Sequence, residues 1–181
     1  MRKGIKIILW LVAFFLIFNG IKTVYYQILD EYFPIRYEEE IKKYAEKEGL
    51  SPLLVTAVIN AESGFDETAH SGVAKGLMQI TDSTAKWICE KTGETYKEDM
   101  VYDPETCIRL GCWYLGYLVD RYQNTDTAIA AYNAGHGNVD TWLLDKRYST
   151  DGKTLWNIPF PETEKYVPRV RWIMWVYEKA Y

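Results

Sequence analysis

A chain of 181 residues with 48% hydrophobic and 15% aromatic side chains is too rich in core-forming residues to be disordered, and it holds about one domain's worth of sequence. Four of the 21 basic residues and none of the 25 acidic ones fall in the first 22 positions, so residues 23–181 carry 17 basic and 25 acidic groups, a net of −8. A body this acidic, with no basic stripe, argues against nucleic acid as a partner. The seven Trp and 15 Tyr serve core packing first, and leave rings to spare for stacking on sugars.

Arg2, Lys3 and Lys6 precede an unbroken apolar run from Ile7 to Phe18 that continues loosely through Ile21, Val24, Tyr25 and Tyr26. Positive charge ahead of an apolar stretch directs the following chain outward. The 23 positions from Ile7 to Leu29 contain Lys22 as the only charge. A spanning helix needs ~20 mostly apolar residues, and a lysine near its end snorkels to the interface. No small-x-small cleavage site follows Phe18, and no cysteine is placed for lipidation. Residues 1–30 therefore read as an uncleaved, single-pass signal anchor, with a cleaved signal peptide and a buried soluble helix as alternatives. In the first two cases residues 31–181 lie outside the cytoplasm.

Pro34 opens a polar-faced helix over 38–48 that stops at Gly49. Ser51-Pro52 is a cap followed by proline at the first helical position. The helix it starts, 53–62, is almost wholly apolar (Leu54, Val55, Ala57, Val58, Ile59, Ala61) and is expected to be buried all round. Glu62 stands at its end, where desolvation raises a carboxyl's pKa. The bland alternative, a helix-terminal surface glutamate, stays open on these grounds alone. A glycine-rich connection over 63–76 leads to the apolar piece Leu77-Met78-Gln79-Ile80.

Further helices are predicted over 83–93 and over 104–122, the latter with Ile108, Cys112, Leu115 and Val119 inward. Two short ones, 128–134 and 139–144, are separated by Gly135-His136-Gly137. The last spans 161–181 with Val170, Ile173, Met174 and Tyr177 inward. The class is mainly α, with at most a small β-hairpin near 148–158. Cys107 and Cys112, five apart on one helix, lie about 140° around and ~7.5 Å along its axis, which is poor geometry for a bridge. A disulfide from Cys89 to one of them and three reduced core thiols both remain open. No His or Cys spacing suggests a metal, and no cofactor is expected. Ser83-x-x-Lys86 and Lys91-Thr-Gly93 match fragments of the penicillin-binding motifs, but they share one helix and its cap and are read as chance. His70 and His136 are lone loop histidines without a base or ligand partner.

Four segments, in order, resemble the catalytic domain of lytic transglycosylases of the soluble-lytic-transglycosylase (SLT) type, which share the goose-type lysozyme fold. They are Ala61-Glu62-Ser63-Gly64-Phe65-Asp66, like E-S-x-(F/Y)-(D/N); Ala74-Lys75-Gly76-Leu77-Met78-Gln79-Ile80 with Thr84-Ala85, like A-x-G-L-M-Q-I-x-P-x-T-A; Ala130-Ala131-Tyr132-Asn133-Ala134-Gly135 with Gly137 and Trp142, like A-Y-N-A-G-x-G-x-V-x-x-W; and Pro161-Glu162-Thr163-Glu164 with Tyr166-Val167, like E-T-x-x-Y-V. The resemblance covers 38–181. It implies a lysozyme-like α+β fold and Glu62 as the sole catalytic acid/base. It also implies a Ser71 hydroxyl in contact with Glu62, Met78 and Gln79 along a glycan cleft, Tyr132 beside the glutamate, and Asn133 as a substrate-side amide. The chain departs from the pattern at Val73 (usually Gly), Asp82 (usually Pro) and Cys107 (commonly Asn), and the loop before Gly76 is one residue short.

The implied reaction is cleavage of the bond between N-acetylmuramic acid and N-acetylglucosamine in peptidoglycan. Glu62 donates a proton to the leaving oxygen, then takes one from the C6 hydroxyl of the same muramyl sugar, which closes a 1,6-anhydro ring without water. Ordinary glycosidases need a second carboxylate, and none sits in a comparable apolar setting; Asp66 is expected to cap local backbone. The alternatives are a hydrolytic muramidase of the same fold, a catalytically idle peptidoglycan-binding module, and a tethered component of an envelope apparatus.

Overall fold

The computed structural model describes residues 2–181, and the chain divides into two compact units that meet in sequence between Ile35 and Arg36. The first unit is one long helix, α1 (Arg2–Tyr32). Its stretch from Leu9 to Tyr32 has a mean hydropathy of 1.5 over its most apolar window, and Trp10, Phe14, Phe15 and Phe18 stand exposed on it.

The second unit is built from α2 (Glu38–Lys47), α3 (Pro52–Ser63), β1 (Ala74–Lys75), β2 (Ile80–Thr81), α4 (Asp82–Thr92), a short 3-10 turn (Met100–Tyr102), α5 (Pro104–Tyr122), α6 (Thr125–Ala134), α7 (His136–Leu143) and α8 (Pro161–Ala180). Helix α3 is the central rod. Seven consecutive-turn residues, Leu54, Val55, Ala57, Val58, Ile59, Asn60 and Ala61, are buried, because α2 and α8 pack along it. Its one buried amide, Asn60, donates to the hydroxyl of Tyr177 on α8 at 3.3 Å. Helix α6 packs between α5 and α8, and α7 packs on α6.

Local chemistry sets most of these boundaries. Thr81, Asp103 and Asn124 each accept a backbone N–H two or three residues into α4, α5 and α6, which satisfies one orphan donor at each helix start. Gly64 and Gly93 close α3 and α4 in the left-handed conformation, with φ of 60° and 74°. Ser51 precedes Pro52 as expected but makes no side-chain cap.

Several expectations need correcting. The hairpin is not near 148–158; it pairs Ala74 with Thr81 and Lys75 with Ile80. The 148–158 segment is a loop wrapped on the Asp151 carboxylate, which takes up backbone N–H groups that a strand ladder would have used. Helices α6 and α7 are separated by Gly135 alone, since His136 and Gly137 already belong to the first turn of α7. On α5, Val119 is only half-buried, while Leu110, Leu118 and Tyr122 are buried. Contacts with α2, α4 and α6 on different sides widen the buried sector beyond one stripe. Met174 on α8 is likewise half-buried rather than inward. All three cysteines are free and buried.

Gly76, between the two strands, is a position only glycine tolerates. Its φ is 71°, and a Cβ there would lie 2.1 Å from the carbonyl oxygen of Val101. Gly111 on α5 is a second close approach: a Cβ would meet the Met78 sulfur at 2.2 Å.

Candidate active site

Glu62 is the next-to-last residue of α3, so its side chain leaves a helix whose preceding residues from Ala57 to Ala61 are all buried. It opens into a cleft of about 740 Å³ that Ser71, Gln79, Tyr132 and Asn133 also line. Burial pushes the Glu62 carboxyl up to about 7. The Tyr166 hydroxyl, donating to Oε1 at 2.6 Å, and the positive charge of Arg169 pull the other way, while the charge of Glu162 adds to the rise. Such a carboxyl is protonated in about half of the molecules at neutral pH and can give that proton up, as a general acid must. Tyr166 and Tyr132 are both raised well above an ordinary phenol, by burial first and then by the Glu62 charge, so both remain donors.

The turn Gly76–Ile80, of which Gln79 and Ile80 line the cleft, is pinned from several sides. Ser63, next to Glu62, donates its hydroxyl to the Leu77 carbonyl at 2.8 Å. Tyr132 donates to the Met78 carbonyl at 2.9 Å. The Met78 amide donates to the Cys107 sulfur at 3.4 Å. Burial pushes the Cys107 thiol up to about 12, so it acts here as a neutral acceptor. Gln79 sits in the left-handed region at φ 47° and turns its Nε2 onto the carbonyls of Ala69 and Gly76, at 3.1 and 3.0 Å. A non-glycine residue in that region is strained, and such strain persists only where surrounding contacts hold it.

Five of the six residues singled out in the sequence therefore line one cleft. Met78 does not: its side chain is fully buried against Gly111, and only its backbone carbonyl serves the site, as the acceptor for Tyr132. Ser71 lines the cleft from an exposed loop, and the hydroxyl that reaches Glu62 is that of Tyr166 instead. Asn133 accepts the Thr163 hydroxyl on Oδ1 at 2.6 Å, which orients its NH₂ as the remaining hydrogen-bonding end. Asp66 caps the following turn, accepting from the Thr68 amide and hydroxyl.

The residues missed are those of α8. Tyr166, Glu162, Lys165 and Arg169 all line the cleft. Tyr166 and Glu162 stood inside the E-T-x-x-Y-V match, which gave a signal for position but none for role. The chance motifs stay apart from chemistry: Ser83 meets the Thr81 hydroxyl, and the Lys86 ammonium lies over the Tyr96 ring. His70 accepts the Gly72 amide in its loop. Among the described residues, no group of three or more His, Cys, Asp or Glu side chains is placed to hold a metal ion.

The Transglycosylase SLT domain family matches residues 39–155, more than half of the chain. The chain belongs to that family. It is 35% identical over 147 residues to the soluble lytic murein transglycosylase of Salmonella typhimurium, across 78% of this chain and 23% of that protein. It is 36% identical over 116 residues to the membrane-bound lytic murein transglycosylase C of Serratia proteamaculans, across 58% of this chain and 32% of that protein. Among solved structures, an inactive mutant of the lytic transglycosylase Slt from Pseudomonas aeruginosa superimposes with a TM-score of 0.73 at 34% identity, covering 84% of this chain and 25% of that one. A 70 kDa soluble lytic transglycosylase solved in complex with bulgecin A gives a TM-score of 0.73 at 30% identity, covering 83% of this chain and 25% of that one. The SLT domain here thus has the lysozyme-like fold of these enzymes, and the chain spans about a quarter of the length of the soluble lytic transglycosylases it matches.

Proposed function

We propose that this SLT domain is a lytic transglycosylase acting on peptidoglycan glycan strands, with Glu62 as its single acid/base. The observation that carries the reading is a carboxyl raised to about 7 by burial, opening on a cleft and touched by one phenol. Protonated Glu62 gives its proton to the oxygen between the muramyl and glucosaminyl sugars, and the C1–O bond breaks to leave an oxocarbenium-like muramyl centre. The carboxylate left behind is stabilised by the Tyr166 hydroxyl and the Arg169 charge. It then takes the C6 hydroxyl proton while the C6 oxygen bonds to C1. Atoms balance without water, and Glu62 ends protonated, ready for the next cut. Gln79 and the Asn133 NH₂ supply hydrogen bonds to the sugars, and Ser71 does so from the loop above.

One observation favours a second reading. Glu162 also lines the cleft and is exposed, so a second carboxylate is available to a hydrolytic muramidase. Products separate the two. Digestion of peptidoglycan by residues 36–181 should release muramyl ends lighter by one water than reducing ends and inert to borohydride. Products dominated by reducible ends would sink the transglycosylase reading in favour of hydrolysis.

We further propose that residues 1–30 anchor the enzyme in the membrane, with the catalytic unit on the extracytoplasmic side. A helix of 31 residues is about 46 Å long, enough to cross a bilayer core, and its apolar side chains are exposed. The full chain made in a bacterium should remain with membranes after a high-salt wash, and its catalytic unit should be cut by protease added outside. A soluble mature form lacking the first 20 or so residues, which the length of a secretory h-region would allow, would show a cleaved signal instead.

A further inference from the structure

Ala74, Gln79, Ile80 and Thr81 of the hairpin all border the cleft, whereas Lys75 does not, since neighbours on a strand point to opposite sides. Each strand is two residues long, and a lone hairpin is marginal in water even when longer. Away from the cleft, Lys75 meets three other parts of the chain. Its Nζ donates to the two carboxylate oxygens of Asp82, the first residue of α4, at 3.3 and 3.1 Å, and to Asp99 at 2.9 Å. It also lies over the Tyr102 ring, 5.9 Å from the centroid. We propose that Lys75, held by Asp82 and Asp99, is a positioning residue for Gln79, fixing the hairpin from behind so that Gln79 meets the glycan in one orientation. The inference rests on the glycan-cleaving reading of the cleft and adds to it residues that touch no substrate.

An exposed ion pair is worth little, and two features lift this one above that level. Only 14% of the Lys75 side chain is exposed, so little water competes for its ammonium. One ammonium also ties the hairpin both to α4 and to the stretch before the 3-10 turn. The Asp82 carboxylate is braced in turn, accepting the Tyr96 hydroxyl at 2.9 Å. The backbone at Asp82 would take proline, the usual residue at this place in the family pattern. Asp82 is the first position of α4, which suits proline, and Thr81 before it is extended, at φ −78° and ψ 153°, as a residue ahead of proline prefers. Proline there would favour the fold by restricting the unfolded chain. Aspartate forgoes that and brings a carboxylate to Lys75 and Tyr96. A negative charge also suits a helix start, but that alone leaves the covered Lys75 without a reason.

The path from Lys75 to Gln79 is short. Lys75 pairs with Ile80, next to Gln79, and bridges to His70. The carbonyls that receive the Gln79 Nε2 belong to Ala69 and Gly76, the residues beside His70 and Lys75. Lys75 therefore steadies both acceptors, and with them a side chain whose backbone is strained at φ 47°. With Nε2 engaged, Oε1 is the end of Gln79 that a sugar hydroxyl or amide can reach.

The test uses the full-length chain in detergent, with soluble peptidoglycan strands as substrate and the release of muramyl ends as readout. Lys75→Met keeps the stem and removes the charge. Asp82→Pro removes one carboxylate on a backbone already suited to proline, and decides alone if Lys75→Met does not fold. Lys75→Met should raise KM about five- to tenfold, the worth of one hydrogen bond to the sugar. Asp82→Pro should raise it about two- to fivefold, because Asp99 still holds the lysine. In both, kcat should stay within about twofold and the alkaline limb of the pH–rate profile should not move, as for lost binding that ground and transition states share. Gln79→Met keeps the length and drops the amide; in that background neither change should raise KM further, since residues acting through one another are not additive. An unchanged KM in Asp82→Pro would overturn the proposal and leave the cleft's function standing. So would a rise that persists in full on top of Gln79→Met, which would make the ion pairs a general brace of the fold. A parent that cuts no glycan strand would bring down the reading of the cleft, and the role of Lys75 with it.

Discussion

Two carboxylates in this molecule have been driven in opposite directions. Glu62, at the dry end of α3, is raised to about 7, with a single hydroxyl on it. Asp151, exposed in the loop after α7, is held well below the usual carboxylate range. It accepts the amides of Thr154 and Lys153 at 2.7 and 2.8 Å and the Thr154 and Ser149 hydroxyls at 2.7 and 3.2 Å. Donors aimed at a carboxylate favour its charged form, whereas lost water disfavours it. Asp151 is a permanent anion that shapes a loop, and Glu62 is a proton store that gives nothing to the fold for being charged.

The sharpest break of this comparison is Glu62→Gln, which keeps the shape and removes the proton. Wall-lytic activity should fall by ~10²–10⁴-fold or more, the worth of a general acid/base, while circular dichroism stays unchanged. A variant that kept above about a hundredth of the parent rate would end the assignment. Stability supplies a second readout of the same change. Because the folded-state pKa of Glu62 is raised to about 7 from 4.5, its contribution is fully present below pH 4.5 and is lost as pH rises through 7. The glutamine variant should therefore match the parent at pH 4 and exceed it at pH 8, by about 1–3 kcal/mol once screening in the open cleft is allowed for. Denaturant melts at the two pH values measure it.

A smaller effect is expected of Tyr166→Phe. Loss of the donor at 2.6 Å removes an interaction that favours the Glu62 carboxylate. The alkaline limb of the pH–rate profile should then move to higher pH, and the rate should drop about tenfold, as for a lost hydrogen bond to a charged group. An unmoved limb would show that Tyr166 does not bond the reacting carboxyl.

Smallest is Asp151→Asn. Its folded-state pKa is depressed, so the stability it supplies is present above the ordinary aspartate range and is lost as pH falls below it. The variant should melt slightly below the parent at pH 7, the gap should close in acid, and lytic activity should not change. A variant as active at neutral pH but equally stable would mean the loop holds without its anion.

The helices were readable because their signals are local. Pro104 after Asp103 starts α5, and Gly93 and Gly64 stop α4 and α3 where left-handed residues are needed. The almost wholly apolar run of α3 leaves little to face water, so the burial of Leu54 to Ala61 was evident in one dimension. The hairpin was misplaced because strands of two residues carry no periodic signal; the pairing of Lys75 with Ile80 depends on Gly76 tucked against Val101. Met78 and Gln79 are neighbours in sequence, yet one is sealed against Gly111 and the other lines the cleft. Nothing in their order reveals which.

By itself the sequence determined where α3 and α5 lie, that Glu62 leaves a buried rod, and, from four short motifs in order, which family the chain belongs to, since caps, apolar runs and motifs are each written in neighbouring residues. Only the tertiary structure decided that the donor on Glu62 is Tyr166, 104 residues away, and that rings from α4, α5 and α7 meet around Trp87. Desolvation and hydrogen bonding act between groups in space, and the chain brings those groups together only once α8 has packed against α3.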